Sequence, residues 1–206
     1  MSKKTTQFGI IRHARTSWNA ARRIQGNHDI ELSEPGRQMA ANWGSQLQTF
    51  HWDRILSSDL KRCRQTAELV NRELQVPVDH DPRLREQDWG QWSGLTITDL
   101  YAQHREAVRL QEQAGWDFVP PQGESRHLVL DRTLQCLEEA RQKHPGQSLL
   151  VICHQGVIKC LLYHLEGRRF LPEEPPLLHK GYHLHLVESR SEGQQLTGLN
   201  HLLLES

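Results

Sequence analysis

Apolar residues in this chain gather in short runs, and each run is followed by a stretch with helical spacing. Phe8-Gly9-Ile10-Ile11 is long enough for a buried strand and too short for a helix. Ser148-Leu149-Leu150-Val151-Ile152-Cys153 is the clearest strand of all, apolar, with β-branched residues and turn residues on both sides. Residues 52–58 and 76–78 read as two further short strands. Residues 181–187 alternate as a half-buried strand does, and residues 199–204 are predicted to close the fold as another.

Between these runs the period changes. Met39, Trp43 and Leu47 recur every four residues behind Ser33-Glu34-Pro35, a Ser cap with Pro in the first turn. Ala67, Leu69, Val70 and Leu74 give an apolar face to a helix that Ser58 or Asp59 can cap. Leu128, Leu130, Leu134, Leu137 and Ala140 suit a helix over 125–144, which Pro145-Gly146 ends. Val157, Ile158, Leu161 and Leu162 predict one more after His154. A polar helix over 96–113, with only Leu100, Tyr101, Val108 and Leu110 apolar, leads into the Pro- and Gly-rich AGWDFVPPQGES. Residues 95–125 are therefore expected to form a helical flap over one end of the sheet. Strands alternating with helices predict an α/β fold with a mostly parallel sheet, here as a single domain over 1–206.

Composition narrows the function. Twenty-five basic residues balance 25 acidic ones, so no global field draws the chain to nucleic acid or a membrane surface. No apolar run approaches a membrane span, and MSKKTTQ, with no apolar stretch behind its lysines, reads as a solvated tail rather than a signal peptide. The four cysteines form no C-x-x-C pair and are expected as reduced, partly buried thiols of a cytoplasmic protein. Cys153-His154 with Cys160 matches no zinc spacing, so no metal is expected. There is no internal repeat. The sequence does not fix an oligomeric state; a homodimer is among those it permits.

The chemistry lies at the strand ends. The first strand delivers Arg12-His13 and the strongest delivers His154. Parallel strands joined by helical crossovers put equivalent ends on one edge of the sheet, where open α/β sheets bind ligands. Arg62 lies in the first turns of its helix, where a cation gains nothing from the helix dipole. That placement suggests it is aimed at something negative. The loop 83–94, with two Trp and mixed charge, fits neither period and is of the kind that lines sites. Two His and two Arg at one place would suit a phosphoryl group, whose charge needs fixed donors.

These residues carry a family resemblance. RHARTSWN, then RIQG with Asp29, Leu32 and Gly36, then SSDLKRCRQTA, then LREQDWGQWSGL, then His154 with Gly156 follow in order over most of the chain. The pattern resembles the histidine phosphatase superfamily, in its phosphoglycerate mutase-like branch. The resemblance implies a three-layer α/β/α sandwich with no metal or cofactor. It puts His13 at the phosphate-accepting nucleophile, with Arg12, Arg62 and His154 around the phosphate. Asn19 would also contact it, and Gln25 and Gly26 would touch the rest of the substrate. Glu86 would protonate the leaving oxygen, with its pKa raised by burial against Trp89 or Trp92. Asp88 is the rival for that role.

The chain departs from the family pattern at Ala14 and Arg15, where Gly and Glu are usual, at Gln155 after the second His, and at Ser93, where many members carry Glu. Arg15 could favour a second anionic group, and Gln155 would join it in binding substrate. Cofactor-dependent mutases of this kind are longer, so the expected activity is metal-independent hydrolysis of a small phosphorylated metabolite through phosphohistidine. A mutase, or an inactive member that binds a phosphorylated ligand, are the alternatives.

Overall fold

The computed structural model describes residues 5–205; residues 1–4 of the expected tail MSKKTTQ lie outside that range, while Thr6 and Gln7 belong to the first strand instead, with Thr6 buried. The first strand, β1 (Thr6–Arg12), starts two residues ahead of the apolar run. It lies inside a six-stranded sheet of order β3-β2-β4-β1-β5-β6. Here β2 is Arg54–Ser57, β3 Val78–His80, β4 Ser148–Cys153, β5 His183–Arg190 and β6 Gly193–Leu203. The pairs β2/β3, β2/β4 and β1/β4 are parallel. β5 runs antiparallel to β1 and to β6. The sheet is thus mostly parallel, with a hairpin on one edge.

Helices cover both faces, and strand alternation decides which side chain meets which helix. Phe8, Ile10, Leu149, Val151 and Cys153 pack with α5 (Arg126–Lys143) and α6 (Gln155–Leu165). Ile11, Ile55, Leu150 and Ile152 point the other way, to α2 (Glu34–Leu47) and α3 (Lys61–Leu74). Gly9 leaves room for the Trp52 ring, which a Cβ there would meet at 2.1 Å. The result is the expected α/β/α sandwich.

Several boundaries move for physical reasons. Pro77 cannot donate to a ladder, so β3 begins after it, while its carbonyl accepts from Ile55. Trp52 and Asp53 precede β2, because Asp53 instead holds both the N–H and the carbonyl of Ser148. On α5 the buried face runs through Val129, Leu130, Thr133, Cys136, Leu137 and Ala140, which leaves Leu128 exposed. β6 is longer than the predicted 199–204 because the polar GQQ at its start hides a paired edge strand. A short helix that no apolar pattern announces, α1 (Ser17–Ala20), follows β1.

The flap contains α4 (Ile97–Gln113), capped by Thr96 and broken at His104, where the backbone leaves helical angles. The break separates two short helices in place of the one predicted. Leu100, Val108 and Phe118 close a small separate core with Ile24 and Trp92, whereas Tyr101 and Leu110 are exposed. The flap therefore docks on loops that follow β1 and β3.

Candidate active site

Both strand ends arrive together because β1 and β4 are neighbours in register, with Arg12 opposite Cys153. The next residues are His13 and His154, whose rings lie 5.2 Å apart, both fully buried. The backbone N–H of His13 donates to the Cys153 carbonyl, which fixes the two ends to each other.

The protonation of His13 can be read from its contacts. Its Nδ1 lies 2.7 Å from the Ala14 carbonyl oxygen. A carbonyl can only accept, so Nδ1 carries the proton and Nε2 of the neutral ring keeps its lone pair. Burial, then the charges of Arg62 and Arg12, holds the His13 pKa well below the usual imidazole value. The ring is therefore neutral at neutral pH, the form in which a histidine is a nucleophile.

His154 is fixed in the opposite tautomer. Arg62 Nε donates to its Nδ1 at 3.2 Å, so Nε2 holds the proton, 2.9 Å from Ser58 Oγ. Burial, Arg62 and His13 likewise push its pKa well below the usual value. Arg62 itself is fully buried in the first turn of α3. Nη1 and Nη2 donate to the carbonyls of His28 and Gly26 at 2.6 and 2.8 Å. A guanidinium has five N–H groups, so two remain for a ligand. The cation that does nothing for its helix is held by carbonyls of the loop after β1, with its spare donors free for an anion.

The site also takes the caps away from α3. Ser58 serves His154, and the Asp59 carboxylate is held by Arg85. Leu60 stands at the N-cap with no side-chain cap, and Ser58 Oγ reaches only its N–H, at 3.4 Å; Asp29, from the loop after β1, accepts from Lys61 N–H at 2.7 Å.

Arg12 is half-buried at the mouth, with its Nε buried and unpaired and its guanidinium 5.8 Å from the Tyr182 ring. Gln155 lines a small cavity with Arg12 and Tyr182. Asn19 completes a capping box with Thr16, its Oδ1 accepting from Thr16 N–H, which leaves its amide NH2 unengaged. Gln25 is buried against Thr16 Oγ. Gly26, at φ +47°, could not be replaced without a Cβ 2.8 Å from Ser93 Oγ. Arg15 is not drawn into the cluster. Its side chain is exposed, and only its carbonyl is used, by Ser33.

Glu86 reaches the group, though not in the surroundings expected. Trp89 and Trp92 pack on each other and on Phe118. The Glu86 carboxylate sits instead on the start of α6. Oε1 accepts from the N–H groups of Gln87 at 2.9 Å and Gly156 at 3.1 Å, and Oε2 lies 3.2 Å from the latter. Asp88, the rival, closes a local turn at Gly90.

Sequence reading missed three supports. Ser58 holds His154. Thr66 Oγ accepts from Ala14 N–H at 3.1 Å and so fixes the turn after His13. Cys63 Sγ lies 3.4 Å from His154 Nε2; burial pushes its thiol up to about 12, so it stays protonated. The motif SSDLKRCRQTA contains all three, but nothing in their spacing separates them from ordinary helix positions.

Two buried neutral imidazoles, two guanidiniums and a carboxylate thus gather at the C-terminal edge of the parallel strands, an arrangement with the charge and donors to hold a phosphoryl group. A profile of the histidine phosphatase superfamily (branch 1) matches residues 8–201, and the chain belongs to that family. The chain is 36% identical to phosphoglycerate mutase-like protein 4 of Arabidopsis thaliana, over 74% of this chain and 67% of that one. It is 28% identical to the uncharacterized phosphatase PhoE of Bacillus subtilis, over 79% and 78% of the two chains. The solved structure of YhfR from Bacillus stearothermophilus superposes with a TM-score of 0.84, at 28% identity, over 96% of this chain and 98% of that one.

Proposed function

We propose that this protein is a phosphatase that hydrolyses a small phosphomonoester through a phosphohistidine on His13, without a metal. The observation that carries the reading is the lock on His13: its Nδ1 proton is committed to Ala14, and burial with the charges of Arg62 and Arg12 keeps the ring neutral, with the Nε2 lone pair uncommitted. Nε2 attacks phosphorus in line, and the bond from phosphorus to the leaving oxygen breaks as the N–P bond forms. Arg12 and the two spare donors of Arg62 hold the non-bridging oxygens, while Asn19 adds its amide. Glu86 is the group placed to deliver a proton to the leaving oxygen, and Oε2, with a single contact at 3.2 Å, is the oxygen suited to pass it. Water then attacks phosphorus and gives a proton to the Glu86 carboxylate. The N–P bond breaks, and phosphate leaves.

Hydrolysis is supported by the phosphatase PhoE among the relatives. The mutase-like relative at 36% identity favours a second reading, transfer of the phosphoryl group between substrates. No helix among the described residues is long and apolar enough to cross a membrane. The four free, buried cysteines support a reducing compartment such as the cytoplasm.

The test is turnover of an aryl phosphate by the purified protein and by His13→Ala, each with and without chelator. Activity that survives chelation and is lost in the variant is expected, and acid-labile phosphate should be trapped on His13. Activity abolished by chelator, or equal in the variant, refutes the reading. Turnover of phosphoglycerate primed with 2,3-bisphosphoglycerate and faster than hydrolysis would select the mutase.

A further inference from the structure

The loop that carries Glu86 has no regular structure of its own beyond two 3-10 turns, Pro82–Leu84 and Gly90–Trp92. Something outside it must hold the carboxylate to within the tolerance that proton transfer requires. The end of the flap lies against it as a strap. Gln91 N–H donates to the Pro121 carbonyl at 3.0 Å and Glu124 N–H to the Asp88 carbonyl at 2.9 Å. Gln87 Nε2 donates to the Glu124 carbonyl at 2.7 Å. The two segments approach so closely that a Cβ on Gly90 would stand 2.1 Å from the Pro121 oxygen.

One side chain ties both segments to the body of the protein. Arg132, on α5, forms a two-pronged ion pair with Glu124, Nε to Oε1 at 2.7 Å and Nη2 to Oε2 at 2.9 Å. Its Nη1 donates to the Arg83 carbonyl at 2.5 Å and its Nη2 to the Glu86 carbonyl at 3.3 Å. Both partners are mostly buried, at 18% and 19% exposure, which lifts the pair out of the class of weak surface bridges. Glu124 Oε2 also accepts from Asp88 N–H at 3.3 Å. Arg132 thus holds the backbone on both sides of Glu86, including that residue's own carbonyl, and the strap that overlies it.

We infer that Arg132 and Glu124 are positioning residues for the reaction: a half-buried clamp that ties the acid loop and the end of the flap to α5 and so sets where the Glu86 carboxylate stands. The inference rests on the reading of Glu86 as the acid. A planar fork is needed to reach two carbonyls and a carboxylate at once, so Lys cannot replace Arg132 in full. The clamp acts through the backbone on either side of Glu86, whose own carbonyl it holds.

The experiment compares kcat/KM on two substrates, an activated aryl phosphate whose leaving group needs no proton and a simple alkyl phosphate whose leaving group does. The ratio kcat/KM reports the transfer to His13 alone, before the phosphoenzyme is hydrolysed. Glu86→Gln is the reference. In Arg132→Ala, alkyl phosphate turnover should fall by about 10- to 100-fold more than aryl turnover, with Arg132→Lys and Glu124→Gln in between. A change that merely loosens the fold would lower both substrates alike. Circular dichroism checks folding, and if Arg132→Ala does not fold, Arg132→Lys and Glu124→Gln carry the comparison. Leaving-group selectivity in Glu86→Gln with none in the clamp variants overturns the clamp alone. A Glu86→Gln enzyme indifferent to the leaving group overturns the reading of Glu86, and the clamp falls with it.

Discussion

Gly156→Ala separates the catalytic use of the α6 N-terminus from its structural use. Gly156 is the second residue of α6, at a backbone angle any residue adopts. Ala is the better helix former there, by roughly 0.5–1 kcal/mol. Yet its Cβ would lie 2.3 Å from Glu86 Oε1 and 3.3 Å from the carboxyl carbon. Ordinary contact between such atoms begins near 3.4 Å, so the carboxylate must retreat by about 1 Å. The contacts from Gly156 N–H, at 3.1 and 3.2 Å, are then too long to count as hydrogen bonds. Glu86 is only half-buried, so water replaces what it loses, and the helical gain roughly offsets the broken contacts. A misplacement of that size costs up to about 100-fold in rate. The expected result is a thermal midpoint at or slightly above that of the parent, together with a fall of about 10- to 100-fold in kcat/KM on an alkyl phosphate. Steady-state kinetics beside a thermal melt decide it. An Ala variant with parental activity on the alkyl substrate would refute the placement of Glu86 on α6.

The buried histidines make stability depend on pH with a definite sign. His13 and His154 have pKa values well below the usual 6.5, and His185 is pulled down to about 4 by burial. Below about pH 6.5 the unfolded chain binds protons that the folded chain refuses, so stability falls as pH drops through that value, by up to ~1.4 kcal/mol per pH unit for each group. Urea midpoints between pH 7.5 and 5 should decline, and His185→Phe should flatten the slope; a midpoint level over that range contradicts the buried neutral state. Arg62→Lys keeps a charge but loses the Nε contact to His154 and the fork across Gly26 and His28. It should lower kcat on an aryl phosphate by about 100-fold or more, and a variant within threefold of the parent would remove Arg62 from the phosphate pocket.

The parts legible in the sequence were those with a one-dimensional signature. A short apolar run flanked by polar turns has few readings, and the β1 and β4 strands follow it closely, as does the stripe Met39–Trp43–Leu47 on α2. Two strands ending in His, in a fold where parallel strand ends share one edge, bring His13 and His154 together by topology alone. The break at His104 had no such mark. No Pro or Gly announces it; the His104 ring at the break lies 6.4 Å from that of Trp92, a neighbour no local pattern reveals.

What stayed hidden was the traffic between elements. Asp29 caps α3 across 32 residues of chain, and it does so because Ser58 and Asp59, which precede that helix, are engaged by His154 and Arg85. A local rule assigns the cap to the nearest competent side chain, and here the site had already claimed both. The same exchange accounts for Arg62. Its position opposes the helix dipole, and that local cost is recoverable only through carbonyls of a loop 34 and 36 residues away. Glu86 follows the same logic in reverse. Its sequence neighbours are aromatic, which suggested a dry pocket, but its partner is the N–H of a residue 70 positions on. In each case the local preference yields at or beside a residue of the candidate site, so a broken cap or a misplaced charge in such a chain points toward its chemistry.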